Sequence, residues 1–283
     1  MMTSLILRAN TLGSFRKIGS FGFNTCHSIL AMRNDLQEQM GRAHRELGMR
    51  YWRCHGMLSD DVGVVARDEK GTLRYTFSGL KRILDQGLSQ GLKPFFEVSF
   101  MPAALARDAS QTICHYRGIT SPPRDWEEWR GVIRQLIEFL GRTYGAEELR
   151  QWYFEVWNEP NLPFWTGTRE EYFQLYRETA LALKAFDSGL RIGGPATARG
   201  EWVTELLDFC RESRTPIDFI STHIYPSDVA FAPSAEGTVN LSDEQARLLA
   251  QASQPMRAEI AADPASRFHL KITSGSLIKL TLR

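Results

Sequence analysis

Three polar clusters in the sequence carry side chains that could do chemistry, and each follows a short apolar stretch. They lie at residues 53–56, 158–161 and 221–225. Glu159 is the most informative residue, because its carboxyl group follows an apolar stretch and has an amide beside it. Aromatic surroundings, supplied here by Trp157 and Trp165, disfavour the ionised form of a carboxyl group and suit a general acid. An alternative stays open, in which Glu159 caps the loop backbone or forms an ion pair with an arginine such as Arg53.

Two histidines, His55 and His223, could act as metal ligands, general bases or hydrogen-bonding groups in a pocket. No pair of histidines has the spacing of metal ligands on a helix, and these two lack an obvious third ligand. We therefore expect no metal, and we expect both histidines to bind substrate. Aromatic residues on loops could stack against a sugar, because an aromatic ring offers a flat apolar face. They are Tyr116, Phe164, Trp165 and Tyr225.

Other catalytic motifs are absent from the sequence. No glycine pattern follows Gly193 and Gly194, so neither a dinucleotide fingerprint nor a phosphate loop is present. Cys54 and His55 are adjacent in a predicted strand, where side chains alternate between faces, so they cannot form a catalytic pair. The sequence therefore predicts no cofactor and no cysteine nucleophile.

The elements that must position these side chains alternate between short apolar runs and longer segments with helical spacing. Such alternation predicts an α/β fold with a parallel sheet. The predicted strands cover residues 20–25, 50–55, 94–100, 152–156, 190–196, 218–225 and 268–273. The polar clusters lie at the ends of the second, fourth and sixth strands, and these carboxyl ends form the active-site face of such folds. Only ten residues remain after Thr273, one unit short of eight.

Composition restricts the class of partner. The chain has 283 residues, 34 Lys and Arg against 33 Asp and Glu, and 43% hydrophobic residues. A net charge of +1 without a basic block predicts no nucleic-acid or membrane-surface binding. No apolar run approaches the roughly 18 residues of a membrane span, and no signal-peptide core is present, so we expect a cytoplasmic protein. The four scattered cysteines indicate reduced thiols.

Six stretches between residues 17 and 273 form an ordered series. They are residues 17–19 (KIG), 53–63 (RCHGMLSDDVG), 93–102 (KPFFEVSFMP), 152–162 (WYFEVWNEPNL), 193–196 (GGPA) and 218–226 (DFISTHIYP). The series resembles the successive strand motifs of glycoside hydrolase family 39, which comprises the β-xylosidases and the related α-L-iduronidases. The stretches HGMLSDD and FMP are most similar to the bacterial β-xylosidase branch.

The resemblance implies a (β/α)8 TIM barrel that hydrolyses terminal β-xylosides by a retaining mechanism, with two carboxylates about 5–5.5 Å apart. Glu159 matches the general acid/base, and Asn158 matches the residue that bonds the sugar 2-hydroxyl. Six further residues belong to the expected pocket. His55, His223 and Tyr225 match residues that hold the sugar, and Arg53, Tyr116 and Trp165 are expected to line the same pocket. Two alternatives are a non-catalytic carbohydrate-binding remnant and an enzyme with iduronidase-like specificity.

The sequence departs from the family at the second carboxylate. The family's nucleophile follows the seventh strand in a Thr-Glu-Trp context, whereas here Thr273 is followed by Ser274 and Gly275, and no acidic residue follows Asp263. Codons for Glu-Trp read one nucleotide late would encode Ser-Gly, which suggests a frameshift or gene-model error.

We thus expect a C-terminally truncated chain with about seven β/α units, strand eight missing, and little activity. The expected parts are a flexible tail (1–16), an incomplete barrel (17–273) and an unrelated tail (274–283).

Overall fold

The computed structural model describes residues 21–223, 268–271 and 278–282. Six parallel strands, adjacent in chain order, form most of one sheet. They are β1 (Gly22–His27), β2 (Tyr51–His55), β3 (Lys93–Val98), β4 (Tyr153–Val156), β5 (Arg191–Ala198) and β6 (Phe219–His223). The predicted α/β fold with a parallel sheet is therefore confirmed, and each of these strands lies within a few residues of its predicted position.

Five helices connect these strands and cover the outside of the sheet. They are α1 (Asn34–Leu47), α2 (Ser78–Ser89), α3 (Trp126–Tyr144), α4 (Arg169–Phe186) and α5 (Val203–Ser213). Asp125 begins α3 by accepting hydrogen bonds from two backbone amides of the first turn, and Thr168 begins α4 in a reciprocal capping box with Glu171. Gly48 ends α1 with φ +70°, a conformation that favours glycine. No helix in the described ranges is long and apolar enough to span a bilayer.

Short helices and two hairpins lie in the connections between these strands and helices. A short 3-10 helix, Ser28–Met32, follows β1, and a four-residue helix, Ala146–Leu149, precedes β4. Two small hairpins lie on the loops after β2 and β3. Their strands are Val65–Arg67 with Leu73–Tyr75 and Thr112–Ile113 with Gly118–Ile119. The second hairpin lies in the connection between β3 and α3.

Ring contacts across the sheet show that it curls into a partial barrel. β3 and β6 are separated by two strands, so a flat sheet would hold them about 14 Å apart. The rings of Phe95 on β3 and Phe219 on β6 nevertheless have centroids only 5.5 Å apart. Phe21, just before β1, similarly contacts Tyr153 on β4 at 5.8 Å. The concave face of the sheet therefore encloses an interior, as in the barrel that the sequence predicted.

Every second side chain along each strand points into this interior, and these side chains form layers. The layer at the amino ends of the strands is aromatic: Tyr51, Phe95, Tyr153 and Phe219. Two residues further along the same strands, the layer is polar: Arg53, Glu97, Glu155 and Ser221. His55 and His223 come two residues later, at the carboxyl ends of β2 and β6. The polar residues of interest are thus supported from below by a buried charged layer.

The last two strands differ from the predicted seventh unit. Phe268–Lys271 forms a strand as predicted, but it pairs antiparallel with Ile278–Leu282, which in turn pairs antiparallel with β6. Only six residues separate these two strands, too few for a parallel crossover, which needs a dozen or more. The segment predicted as an unrelated tail therefore supplies a strand to the sheet.

Candidate active site

Glu159 and His223 meet at the carboxyl ends of β4 and β6. His223 Nδ1 lies 2.8 Å from Glu159 Oε1, and the His223 and Glu159 side chains are 4% and 12% exposed. His223 Nε2 is buried and has no hydrogen-bond partner among the described residues. The predicted alternative partner of Glu159, Arg53, forms its ion pairs with two other carboxylates. Glu159 is therefore a rim carboxyl group that can exchange a proton with an imidazole.

The backbone around Glu159 adopts conformations that side chains rarely tolerate. Trp157 and Glu159 have φ values of +72° and +43°. Each such residue stores strain of order 1–3 kcal/mol, which persists only where surrounding contacts hold it. Here the indole of Trp157 donates to the Phe164 carbonyl at 2.8 Å, and the Glu159 amide donates to the Ala196 carbonyl at 2.8 Å. These contacts hold the Glu159 carboxyl group above the open end of the sheet.

Asn158 is oriented by Arg53. Arg53 Nη2 donates to Asn158 Oδ1 at 2.9 Å, and both residues are buried. A guanidinium group can only donate, so the amide oxygen of Asn158 must face it. The Nδ2 amino group is then left to donate to another acceptor. This geometry suits an amide that binds a hydroxyl oxygen of a ligand.

Two carboxylates that the sequence analysis missed complete the buried charged layer. Arg53 lies between Glu97 on β3 and Glu155 on β4, with N···O distances of 2.6 Å to each. All three side chains are 3% exposed or less. His55 Nδ1 lies 2.8 Å from the same Glu97 oxygen that faces Arg53. The sequence does contain a signal for this layer: each carboxylate lies in the middle of an apolar strand, and a buried carboxylate must have a buried partner.

Electrostatics keep Glu97 ionised. Burial is the largest influence and would raise its pKa, but the positive charge of Arg53, the interaction with His55 and the hydroxyl of Ser99 together lower the pKa of Glu97 below its usual range. Glu97 is thus a fixed negative charge beneath the pocket. Both Glu97 and Glu155 are fully buried, which makes them unsuited to attack a substrate at the rim.

The remaining predicted residues lie in varied positions. Tyr116 stacks on His27 with a centroid distance of 4.1 Å, and it lines a cavity of about 330 Å³ together with Asp60, Asp61 and Arg117. Trp165 is only 5% exposed. Its ring packs edge-on against Trp157, 5.0 Å away.

Two predicted positions, Tyr225 and Ser274, lie outside the described residues. The structure therefore brings Arg53, His55, Asn158, Glu159 and His223 to one end of the sheet. Contact of these residues with a sugar stays a prediction. In residues 21–223, no three His, Cys, Asp or Glu side chains are grouped in a way that could hold a metal ion.

Comparisons with known proteins point to one family. The sequence profile of Glycosyl hydrolases family 39 matches residues 4–265. A β-xylosidase of Caldicellulosiruptor saccharolyticus is 48% identical over 226 residues, which are 79% of this chain and 46% of that protein. A β-xylosidase of Geobacillus stearothermophilus is 41% identical over 226 residues, which are 77% of this chain and 45% of that protein. The chain thus spans about half the length of these relatives.

Solved structures agree with these sequence matches. The GH39 enzyme of Xanthomonas axonopodis pv. citri is 36% identical with a TM-score of 0.78, and the match covers 87% of this chain and 48% of that one. A β-xylosidase of Caulobacter crescentus CB15 is also 36% identical, with a TM-score of 0.79, over 87% of this chain and 50% of that one. The described half of the barrel therefore has the arrangement found in these proteins.

Proposed function

Because the chain belongs to glycosyl hydrolase family 39, we propose that its pocket binds terminal β-xylosides and that Glu159 is the general acid/base of their hydrolysis. The observation that carries the proposal is the position of Glu159 at the end of β4, hydrogen-bonded to His223 and adjacent to an Asn158 amide oriented by Arg53. The 41–48% identity to two β-xylosidases supports xylose as the sugar.

Glu159 has the proton-transfer role in this proposal. Its carboxyl group protonates the leaving oxygen as the glycosidic bond breaks, and its carboxylate then removes a proton from the water that completes hydrolysis. His223 Nδ1–H donates to the carboxylate form of Glu159, which stabilises that form between the two steps. A substitution of His223 should therefore alter proton transfer more than sugar binding.

Asn158 and His55 bind the sugar in this proposal. The amino group of Asn158 points away from Arg53 and donates to a sugar hydroxyl oxygen. His55, with a side chain 16% exposed, reaches the same pocket from the end of β2. Arg53 is buried beneath both residues, so it orients Asn158 without touching the sugar. Tyr225, together with Tyr116 and Trp165, completes the proposed set of residues around the sugar.

The second carboxylate determines how much catalysis this chain supports. A retaining mechanism needs a nucleophile about 5–5.5 Å from the acid/base, and the expected position holds Ser274. A serine without an activating base is a poor nucleophile near neutral pH. We therefore propose that the 283-residue chain binds β-xylosides and hydrolyses them very slowly.

The test compares binding and hydrolysis in one preparation. Titration calorimetry with a nitrophenyl β-xyloside should give saturable binding, and Asn158→Ala should weaken it about tenfold, the equivalent of one hydrogen bond worth about 1.4 kcal/mol. Release of nitrophenol should remain near the uncatalysed rate. Rapid release that disappears in Glu159→Gln would refute the predicted inactivity while supporting the role of Glu159. Absence of binding, or equal binding by Asn158→Ala, would contradict the proposed pocket.

A further inference from the structure

Glu97 connects the two residues that are proposed to bind the sugar. Its Oε2 atom accepts from Arg53 Nη2 at 2.6 Å and from His55 Nδ1 at 2.8 Å. Its Oε1 atom accepts from the Ser99 hydroxyl. We propose that Glu97 is a positioning residue that fixes which nitrogen His55 presents to the sugar and, through Arg53, the orientation of Asn158. This inference rests on the proposed function.

Glu97 determines the tautomer of His55. Glu97 is ionised, and a carboxylate has no proton to donate, so the hydrogen in their bond must be on His55 Nδ1. Arg53 Nη1 also lies 3.4 Å from that nitrogen, but both atoms are then donors and this longer contact is not a hydrogen bond. Neutral His55 consequently keeps Nε2 as an acceptor, available to a sugar hydroxyl that donates.

Glu97 also acts on Asn158 through the guanidinium group of Arg53. Arg53 Nε donates to Glu155 at 2.6 Å, while Nη2 has two protons, one for Glu97 and one for Asn158 at 2.9 Å. Because both Nε and Nη2 of its planar guanidinium group are hydrogen-bonded, Arg53 cannot rotate without losing a buried charge-assisted hydrogen bond. The orientation of the Asn158 amide therefore depends on Glu97 as well as on Arg53.

Ser99 extends this arrangement to the backbone. Its hydroxyl donates a hydrogen bond to Glu97 Oε1 and accepts one from the Gly56 backbone amide at 3.1 Å. Gly56 directly follows His55, so Glu97 restrains the end of β2 at the His55 ring and at the next amide. A carboxylate with three donors on two oxygens is held in one orientation, which a positioning residue requires.

Glu155 provides a matched control. It is as buried as Glu97 and makes an equally short ion pair with Arg53. Within the described residues, the polar neighbours of His55 Nδ1 are Glu97 and Arg53, and Glu155 is not among them. A general loss of buried charge should therefore affect Glu97 and Glu155 variants alike, whereas a positioning role predicts an effect on His55 for Glu97 variants alone.

The first experiment measures the wild-type chain and uses a substitution only to assign signals. Long-range proton–nitrogen NMR of the unliganded wild-type chain at pH 7.5 reports which nitrogen of each histidine ring carries the proton, and His55→Gln identifies the His55 signals. We expect His55 to be protonated at Nδ1. Protonation of the neutral ring at Nε2 would overturn the proposal. Because no sugar is present, this result does not depend on the proposed function.

The second experiment compares four variants in the same spectra and in nitrophenyl β-xyloside titrations. Glu97→Gln retains an acceptor for His55, so we expect the Nδ1–H form and an affinity within about threefold of the wild type. Glu97→Leu removes the acceptor, and we expect mixed tautomers and a loss of affinity of at least tenfold. Glu155→Gln and Glu155→Leu should leave the His55 tautomer unchanged.

The outcomes separate this inference from the proposed function. A Glu97→Leu chain with the wild-type tautomer and affinity, or a Glu155→Leu chain with the same tautomer change, would refute positioning by Glu97. A wild-type chain that binds no xyloside would refute the proposed function, while the tautomers would still decide whether Glu97 orients His55. If Glu97→Leu does not fold, the wild-type tautomer decides the same question.

Discussion

Replacement of Arg53 by methionine should destabilise the protein by an amount that depends on pH. Methionine fills much of the same volume but leaves two fully buried carboxylates without their cation. Breaking a buried ion pair by removing one partner costs about 3–5 kcal/mol. Glu97 retains His55 as a partner at 2.8 Å, so the larger share of the cost arises at Glu155, whose Oε1 atom is unpartnered within the described residues.

Proton uptake limits this cost. A glutamate with an ordinary pKa of about 4.3 can be protonated at pH 7 for about 3.7 kcal/mol, and at pH 5 for about 1 kcal/mol. In the wild type the pKa of Glu97 lies below its usual range, so Glu97 is ionised at both pH values. The folded variant then binds more protons than the unfolded variant, and its stability falls as pH rises. We expect the destabilisation at pH 5 to be about 2–3 kcal/mol smaller than at pH 7.

Urea unfolding followed by tryptophan fluorescence at pH 5 and pH 7 measures both values. The double variant Arg53→Met/Glu155→Gln is the matched control, because it also removes the Glu155 charge that would otherwise be left without its cation. It should recover about 2 kcal/mol at pH 7 and little at pH 5. An equal destabilisation at both pH values, with no recovery in the double variant, would show that packing of Arg53 matters more than its charge.

Two further predictions concern thiols and packing. Cys54 and Cys210 are buried, which raises the pKa of Cys210 to about 12 and that of Cys54 well above its usual value; a thiol reagent at pH 8 should therefore modify two of the four cysteines in the folded chain and all four in urea. In Gly87→Ala the new Cβ would lie 2.3 Å from the Trp52 indole nitrogen, so an overpacking cost of about 1–3 kcal/mol should outweigh a helix-propensity gain of about 1 kcal/mol and lower the urea midpoint.

Much of the fold could be predicted because the sequence signals are local. The apolar face of α3, with Trp129, Ile133 and Leu136, has the period of a helix, and all three side chains are buried. The sequence predicted Glu159 and His223 at the carboxyl ends of parallel strands, which share one edge of the sheet. The structure has both residues at that edge. Their pairing was not predicted, because it depends on the curl of the sheet rather than on spacing along the chain.

The end of the chain shows why a strand is easier to predict than its partner. Residues 268–271 have the composition of a strand and form one. Their direction in the sheet depends on the connection that follows, and six residues permit a hairpin but not a helical crossover. The segment 278–282, with two leucines and an isoleucine in alternation, then pairs with the open edge at β6.

The buried charged layer is better explained by orientation than by stability. Replacing a buried ion pair by apolar residues of similar volume is often neutral or stabilising, so Arg53, Glu97 and Glu155 need not be there to hold the sheet together. The aromatic layer directly below shows that the same interior accepts apolar packing. Only a group with several fixed donors can hold Asn158 Oδ1 while bound to two carboxylates, and only an acceptor can place the proton on His55 Nδ1. The charges therefore lie in the one layer from which they can direct both residues at the rim.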